Sequence, residues 1–543
     1  MQRFSDRTFA AAVDSRRGFV LLLVLVVVAL LSFAVYSFSA LMVTEFGATR
    51  MGLQHLKRRQ LAESAVELAV ADLQKQARDI RKTSVAIPLV DGESGRLTLL
   101  RKLPTGRNMA PEFGWLNESS KLNLRSLPLK ATRRPQARRR LTVIPGMTVP
   151  LADSLLDWID EDNEPSEFGA EAEWYLAQAT PRVPRNAMCE DLSELLSVRG
   201  MTAAILFGED QNQNGILDPE EDDGGLQEPD DNQDGVLQTG IAGYLTLVSA
   251  ESQASPEGKP RIHLNSTELA KLYDQILPRL GAEAALFIVA GRLHGITWLD
   301  DIRPDEGEDQ RLRLLERLEN ANDRLKMQLG LLNQPKKNVA VHEYSRGGLV
   351  LDGNPSFEFR SIVDLFGGQV RVTVEGKDRV LQSPWAADAA TISRMLPELE
   401  EVFCLTMDRA IYGRIDINSA SEEVLASIPG VSSSLARAIH SLQPDYEDRG
   451  KREFKSTAWL LNRGLVATGE YRAMAPYITV GGSVYSGIAI GQIAGERPVA
   501  AIRFLVDCTD PQPRMLQFQD LPILTADSVG LRWEKASGDV GRD

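Results

Sequence analysis

Asp210, Asn212, Asn214, Ile216, Asp218 and Glu221 carry the most specific chemistry in this chain. They fall in the run Asp210-Gln-Asn-Gln-Asn-Gly-Ile-Leu-Asp-Pro-Glu-Glu221, where side-chain oxygens stand at loop positions 1, 3, 5 and 9. Ile216 supplies a backbone carbonyl at position 7, Gly215 permits the sharp bend at position 6, and Glu221 at position 12 can bind through both oxygens. This is the EF-hand loop pattern, and its hard oxygen donors suit calcium. A second stretch, Asp230, Asn232, Asp234 and Gly235, repeats the first half only, because Gln238 and Ile241 stand where the later ligands belong. The competing reading of both stretches is a solvated acidic loop. A bound calcium would neutralise the clustered carboxylates and order an insertion of about thirty residues, so its expected role is structural.

Other chemistry is sparse. The histidines at 55, 263, 294, 342 and 440 have no metal-ligand spacing. No phosphate-binding glycine loop, nucleophile elbow or His-Glu-x-x-His occurs, which points away from an enzyme. The net charge of −14 disfavours nucleic acid or anionic lipid as the main partner. Three cysteines, Cys189, Cys404 and Cys508, are too few for a disulfide framework. In an oxidising compartment Cys404 with Cys508 is the expected pair.

These residues need elements to hold them. Residues 19–43 carry no charge, and as a helix they would extend about 37 Å, enough to cross a bilayer core of about 30 Å. Arg16, Arg17 and Gly18 stand directly before this run, and no small-x-small cleavage site follows it. The excess of basic residues before position 19 puts residues 1–18 in the cytoplasm and the remainder outside. From 51 to 82 an apolar stripe continues the helix through Leu56, Leu61, Ala65, Leu68, Ala69 and Leu73. Residues 97–100, 484–490 and 500–506 read as strands able to form a small sheet against that helix.

Between those strands a unit recurs three times. It opens at Lys121-Leu-Asn-Leu-Arg-Ser126, Arg261-Ile-His-Leu-Asn-Ser266 and Arg414-Ile-Asp-Ile-Asn-Ser419. Each opening is a short strand ending on a helix-capping signal. Helices follow at 151–159, 283–291 and 435–442, then capped apolar helices at 191–200, 361–367 and 456–464. The closing strands are expected at 244–249, 369–374 and 477–480. In the third unit Pro429 and Gly430 mark a tight turn between two helices, which looks like a helix-hairpin-helix. Many such hairpins bind DNA, but Ser432 stands where the DNA-binding form has glycine. Glu422, Glu423, Asp445, Glu447 and Asp448 surround Arg437, so structural use is the stronger reading. Residues 130–140 hold six basic residues and read as a mobile loop, and 308–332 read as an amphipathic helix.

The basic leader, glycine, spanning segment and polar helical extension resemble type IV pilins and pseudopilins. Within that group, residues 117–124, 151–165, 169–175, 189–195 and 477–485 are similar to stretches of the general secretion pathway protein K family, the large minor pseudopilins of type II secretion. The resemblance implies cleavage by prepilin peptidase between Gly18 and Phe19 and methylation of Phe19. Most of these subunits carry glutamate at the fifth mature position; here it is Leu23, an absence that marks the subunit at the filament tip. Members of the family also hold calcium, and they usually have two helical modules where this chain has three.

The expected fold is α+β: a pilin-like N-terminal membrane-spanning helix with a small antiparallel sheet, plus inserted helical modules of sterile-alpha-motif or hairpin kind. The expected divisions are a leader (1–18), the membrane and extended helix (19–80), first core strands (81–128), three helical modules (129–250, 251–380, 381–480) and last core strands with the tail (481–543). The resemblance implies a filament-tip subunit in the inner membrane with its bulk in the periplasm. Its partners would be other minor pseudopilins, the major pseudopilin, the inner-membrane secretion platform and the peptidase, with no nucleic acid. Two other readings stay open: a pilus or competence tip protein that binds DNA, and an uncleaved, membrane-anchored calcium protein.

Overall fold

The computed structural model describes residues 16–74, 84–88, 94–102, 112–210, 212–213, 215, 217, 221, 224–225, 234–253, 260–298, 345–374, 377–445, 448, 451–522, 524–525 and 531. The expected amphipathic helix at 308–332, the leader before 16, and Asn214, Ile216, Asp218, Asp230 and Asn232 lie outside these residues.

The uncharged run and its extension form one helix of 59 residues, Arg16–Gln74. Among the described residues none buries its N-terminal part, and large apolar side chains from Phe19 to Phe46 stand exposed. Its C-terminal part packs through Leu61, Ala62, Ala65, Val66 and Ala69. Leu56, expected on this stripe, is exposed, because the helix meets its support only from Arg58 onward.

The support is an antiparallel sheet in the spatial order Ser84–Pro88, Ser94–Lys102, Val484–Ile493, Pro498–Asp507, Arg514–Asp520. Alternation places Leu97, Leu99, Ala489, Ile502, Phe504 and Val506 toward the helix, and Ile488, Ile490, Val499 and Ala501 on the opposite face. Small residues let helix and sheet approach closely. A Cβ on Gly491 would lie 1.9 Å from the Arg58 carbonyl oxygen and 2.7 Å from the Ala62 nitrogen. The fold is therefore α+β, with a pilin-like arrangement of one long helix across a small sheet.

The helical units occupy the chain between the neighbouring strands Ser94–Lys102 and Val484–Ile493. Each unit is tied at its base by a two-residue parallel ladder: Leu122–Asn123 with Leu245–Thr246, Ile262–His263 with Phe403–Cys404, and Ile415–Asp416 with Ile478–Thr479. The second closure corrects the reading from sequence. Residues 369–374 belong to Gly368–Val374, which pairs with Lys377–Gln382 as an antiparallel hairpin, so the alternation there is that of a hairpin strand. The closing strand is Phe403–Cys404. Helix Ala389–Val402, expected in the third module from 381, belongs to the second unit, and the boundary moves past Cys404.

One device repeats inside the units. Asn265 Nδ2 donates to the carbonyls of Phe359 (3.0 Å) and Leu405 (3.1 Å). Asn418 Nδ2 donates to the Phe454 carbonyl at 2.8 Å. The first unit has Arg125 at this place, and its longer side chain reaches the equivalent carbonyls of Leu247 (2.8 Å) and Cys189 (3.4 Å). The bonds to Phe359, Phe454 and Cys189 tie the opening strand to the segment entering the third element, which starts at Ile362, Trp459 or Leu192. Those to Leu405 and Leu247 reach the residues just after the closing strand. The first two of these elements are 3-10 turns, where regular helices were expected.

Candidate functional site

Three surfaces carry the residues singled out from sequence. The first is the exposed N-terminal helix. Gly18 and Phe19 lie within it, and Phe19 and Leu23 are both exposed. This is one helix long and apolar enough to cross a membrane, a candidate anchor. At its base Arg58 pairs with Glu496, and Arg59 Nε pairs with Asp520 at 3.0 Å.

The second is the loop that starts at Asp210. Asp210 and Glu221 are buried, each 8% exposed, which is uncommon for carboxylates in a surface loop. The Gly215 N–H donates to both Asp210 oxygens at 3.2 and 3.1 Å, and the Asn212 N–H to Glu221 Oε1 at 3.5 Å. Position 6 thus closes on position 1, and position 12 reaches back to position 3. Arg503, on the strand Pro498–Asp507, donates to the Gln213 carbonyl and so docks the loop on the sheet. Burial pulls the Arg503 guanidinium below its usual range, while the Asp210 carboxylate works to raise it. In the second stretch Asp234 is exposed and accepts the Val236 N–H at 2.7 Å, the geometry of a local turn.

The third is the hairpin. Helices Glu422–Ala426 and Ser433–Ser441 flank the turn holding Pro429 and Gly430, and Gly430 has φ +88°, which favours glycine. Arg437 is paired with Glu422 at 3.1 Å. From the first unit Arg140 donates to the Ser427 carbonyl at 3.2 Å and lies 5.8 Å from the Tyr477 ring centroid. Burial pushes this guanidinium down to about 10, against the raising effect of Tyr477. The hairpin is used here to join units.

Arg140 belongs to a network that the basic run at 130–140 did not reveal. That run is not a loop: Arg134–Thr142 is a helix facing helix Val149–Ile159. Arg138 grips Asp153 through two bonds of 2.6 and 2.8 Å. Arg134 reaches Asp157 at 3.4 Å, Asp162 at 3.1 Å, and Asp160. The signal was present, since Arg134 and Arg138 share one helical face, as do Asp153 and Asp157. Beyond them Glu171 lies buried. Burial and the neighbouring carboxylates push Glu171 up to about 7, and burial raises Asp160 to about 7 against the pull of Arg134.

Between the second and third units is a cavity of about 140 Å³ lined by Glu251, Arg261, Glu400, Cys404 and Arg414, among others. Loss of solvation and the nearby Glu251 carboxylate push Glu400 up to about 7. Cys189, Cys404 and Cys508 are all free thiols, so the expected Cys404–Cys508 bridge is not formed. Cys404 is held in the closing ladder of the second unit, whereas the Cys508 N–H bonds the Ser483 carbonyl beside the sheet.

A long apolar helix laid across an antiparallel sheet, with helical units inserted between two sheet strands, defines a pilin-like class of protein with a candidate membrane anchor. Residues 120–207, the first of the inserted units, match the family described as type II secretion system protein K. The chain is 26% identical over 194 residues to the type II secretion system protein K of Klebsiella pneumoniae, and 28% identical over 206 residues to a protein K of Escherichia coli strain K12. Each alignment covers 35% of this chain and 60% of the relative, so under two thirds of either relative's length is matched. Among solved structures, the GspK-GspI-GspJ complex of the type 2 secretion system of enterotoxigenic E. coli superposes with 12% identity and a TM-score of 0.30, over 87% of this chain and 98% of that one. A superposition that loose adds nothing to the fold already described. The chain is a protein K-like chain, and the family match falls on its first unit, residues 120–207.

Proposed function

We propose that this chain is a minor pseudopilin of a type II secretion system, held in the inner membrane by residues 19–43 with its head in the periplasm. The match of residues 120–207 to protein K carries this reading, and the exposed apolar helix supplies the filament-forming part. Prepilin peptidase cuts between Gly18 and Phe19, and Phe19 is methylated. In the filament the helices pack side by side, which covers the apolar surface from Phe19 to Phe46. A head enlarged by three inserted units obstructs a subunit stacked above it, and Leu23 brings no carboxylate to pair with a neighbour's N-terminus. Both features suit a place at the tip, beside other minor pseudopilins and above the major one. Calcium sits in the loop at 210–221, where the buried Asp210 and Glu221 fit a hard cation.

The test is mass spectrometry of the N-terminal peptide from the native membrane. A chain beginning at N-methyl-Phe19 is the expected result. An intact Met1 in cells with active peptidase would overturn the pseudopilin reading.

A further inference from the structure

The cavity of about 140 Å³ between the second and third units is short of hydrogen-bond acceptors. Arg261 and Arg414 both line it, and each stands directly before the parallel ladder of its own unit. The first unit has Lys121 at this place, where Glu118 matches the cation at 3.2 Å. In the cavity the match is incomplete. Arg414 Nη1 meets Glu251 Oε2 at 3.4 Å. Arg414 Nε and Arg261 Nε are nevertheless both buried with no hydrogen-bond partner among the described residues. A buried donor left unpaired is costly, and more so when it carries charge.

The hydroxyls of the wall are spent on their own neighbours. Ser252 donates to the Thr509 carbonyl at 2.8 Å, Thr479 to the Gly481 carbonyl at 2.8 Å, and Thr457 shares a 2.6 Å bond with the Tyr471 hydroxyl. Glu400, in the last turn of helix Ala389–Val402, feels both arginines only through their charge, without a hydrogen bond to either. The cavity therefore suits a ligand that brings acceptors. An arginine Nε–H and the Nη–H beside it are two parallel donors that match the two oxygens of a carboxylate. A dianion such as phosphate would meet Glu251 and Glu400, whereas a carboxylate brings two oxygens and a single charge. Ile362, Leu396, Phe403 and Ile478 add apolar wall for a short aliphatic stem. An apolar cavity of about 150 Å³ binds benzene, so the space admits roughly six non-hydrogen atoms.

We propose that this cavity binds a short aliphatic monocarboxylate, with Arg261 as the main anchor through its Nε edge and Arg414, steadied by Glu251, as the second. The carboxylate belongs either to a free small acid or to the end of a peptide, and both present the same group. The inference rests on the cavity alone and does not depend on a secretion role.

Saturation-transfer difference NMR on the full chain in detergent tests this, with butyrate as the probe. The expected result is a saturable butyrate signal with a dissociation constant of about 1 mM or tighter. Butanol, which has the tail without the charge, should give no saturable signal. Arg261→Gln should weaken butyrate binding by about tenfold or more. Arg409→Gln, at an exposed pair with Asp510, should leave it unchanged. Acetyl-trialanine with a free carboxyl distinguishes the sources: binding tighter than butyrate assigns the site to a chain end, and weaker binding assigns it to a free acid. Absence of a saturable signal from both carboxylates would mean that the cavity holds water alone and would overturn the proposal. An equal signal from Arg261→Gln, with an unchanged near-ultraviolet circular dichroism spectrum, would overturn it as well. If Arg261→Gln does not fold, Arg261→Lys, which keeps the charge but loses the paired donors, serves instead, with the same two outcomes.

Discussion

The Ser486 hydroxyl donates to Glu118 Oε1 at 2.6 Å across 368 residues of sequence. The other Glu118 oxygen takes the Thr246 hydroxyl at 2.7 Å, and Lys121 stands 3.2 Å away. One buried carboxylate thus fastens the first helical unit to the central strand of the sheet. Burial alone would raise Glu118, but Lys121 and the two hydroxyls outweigh it and hold the carboxyl below its usual value. A lowered carboxyl stabilises the fold above the unfolded-state pKa, and that stability is lost as pH falls through the folded one. Glu118→Gln should cost about 1–3 kcal/mol at pH 7. The gap from the unmodified chain should shrink on acidification below the usual carboxylate range, as read by denaturant midpoints.

Glu400 should behave in the opposite sense. Its carboxyl, raised to about 7, keeps a proton that the unfolded chain has released, so its contribution is complete below the unfolded value and fades as pH rises through about 7. Thermal midpoints of Glu400→Gln should therefore fall less between pH 5 and 8 than those of the unmodified chain. Parallel curves would show that Glu400 titrates normally.

Gly491 should tolerate no side chain. Gly491→Val would drive a branched group into the backbone of the long helix at Arg58 and Ala62. Overpacking of this kind costs about 1–3 kcal/mol. Cleavage in the helix around Arg58 by a trace of trypsin should rise, while the inserted units stay resistant.

Arg134→Met should destabilise more than any exposed arginine change, by about 3–5 kcal/mol, because Asp157 and Asp160 would stay buried with their guanidinium gone. Arg437→Met removes only an exposed pair with Glu422 and should change stability by about 0–1 kcal/mol. Denaturant midpoints of the two variants give the comparison.

Calcium should raise the melting temperature against a chelator. Saturation at a hundred times the dissociation constant corresponds to about 2.7 kcal/mol per site. Asp210→Asn should remove the part owed to the loop. An identical calcium shift in that variant would exclude the loop as a site.

Much of this molecule is legible in its sequence because the signals are local. An uncharged run long enough for a membrane-length helix, alternating strands and a Pro-Gly turn depend on residues close together in the chain. The threefold repeat was legible for the same reason, since each opening carries its own strand and cap. Pairing across long separations was not. Residues 369–374 and 403–404 are both short apolar stretches, and only the tertiary structure decided that Phe403–Cys404 closes the second unit beside Ile262–His263. Likewise six basic residues near 130–140 look solvated until helix Arg134–Thr142 is set against Asp153, Asp157 and Asp160. Burial turns those charges from surface into structure, and burial is a property of the packed whole. Among the described residues the carboxylate oxygens of Glu171 have no hydrogen-bond partner, and only the packed state leaves them so, because an extended chain would keep them in water.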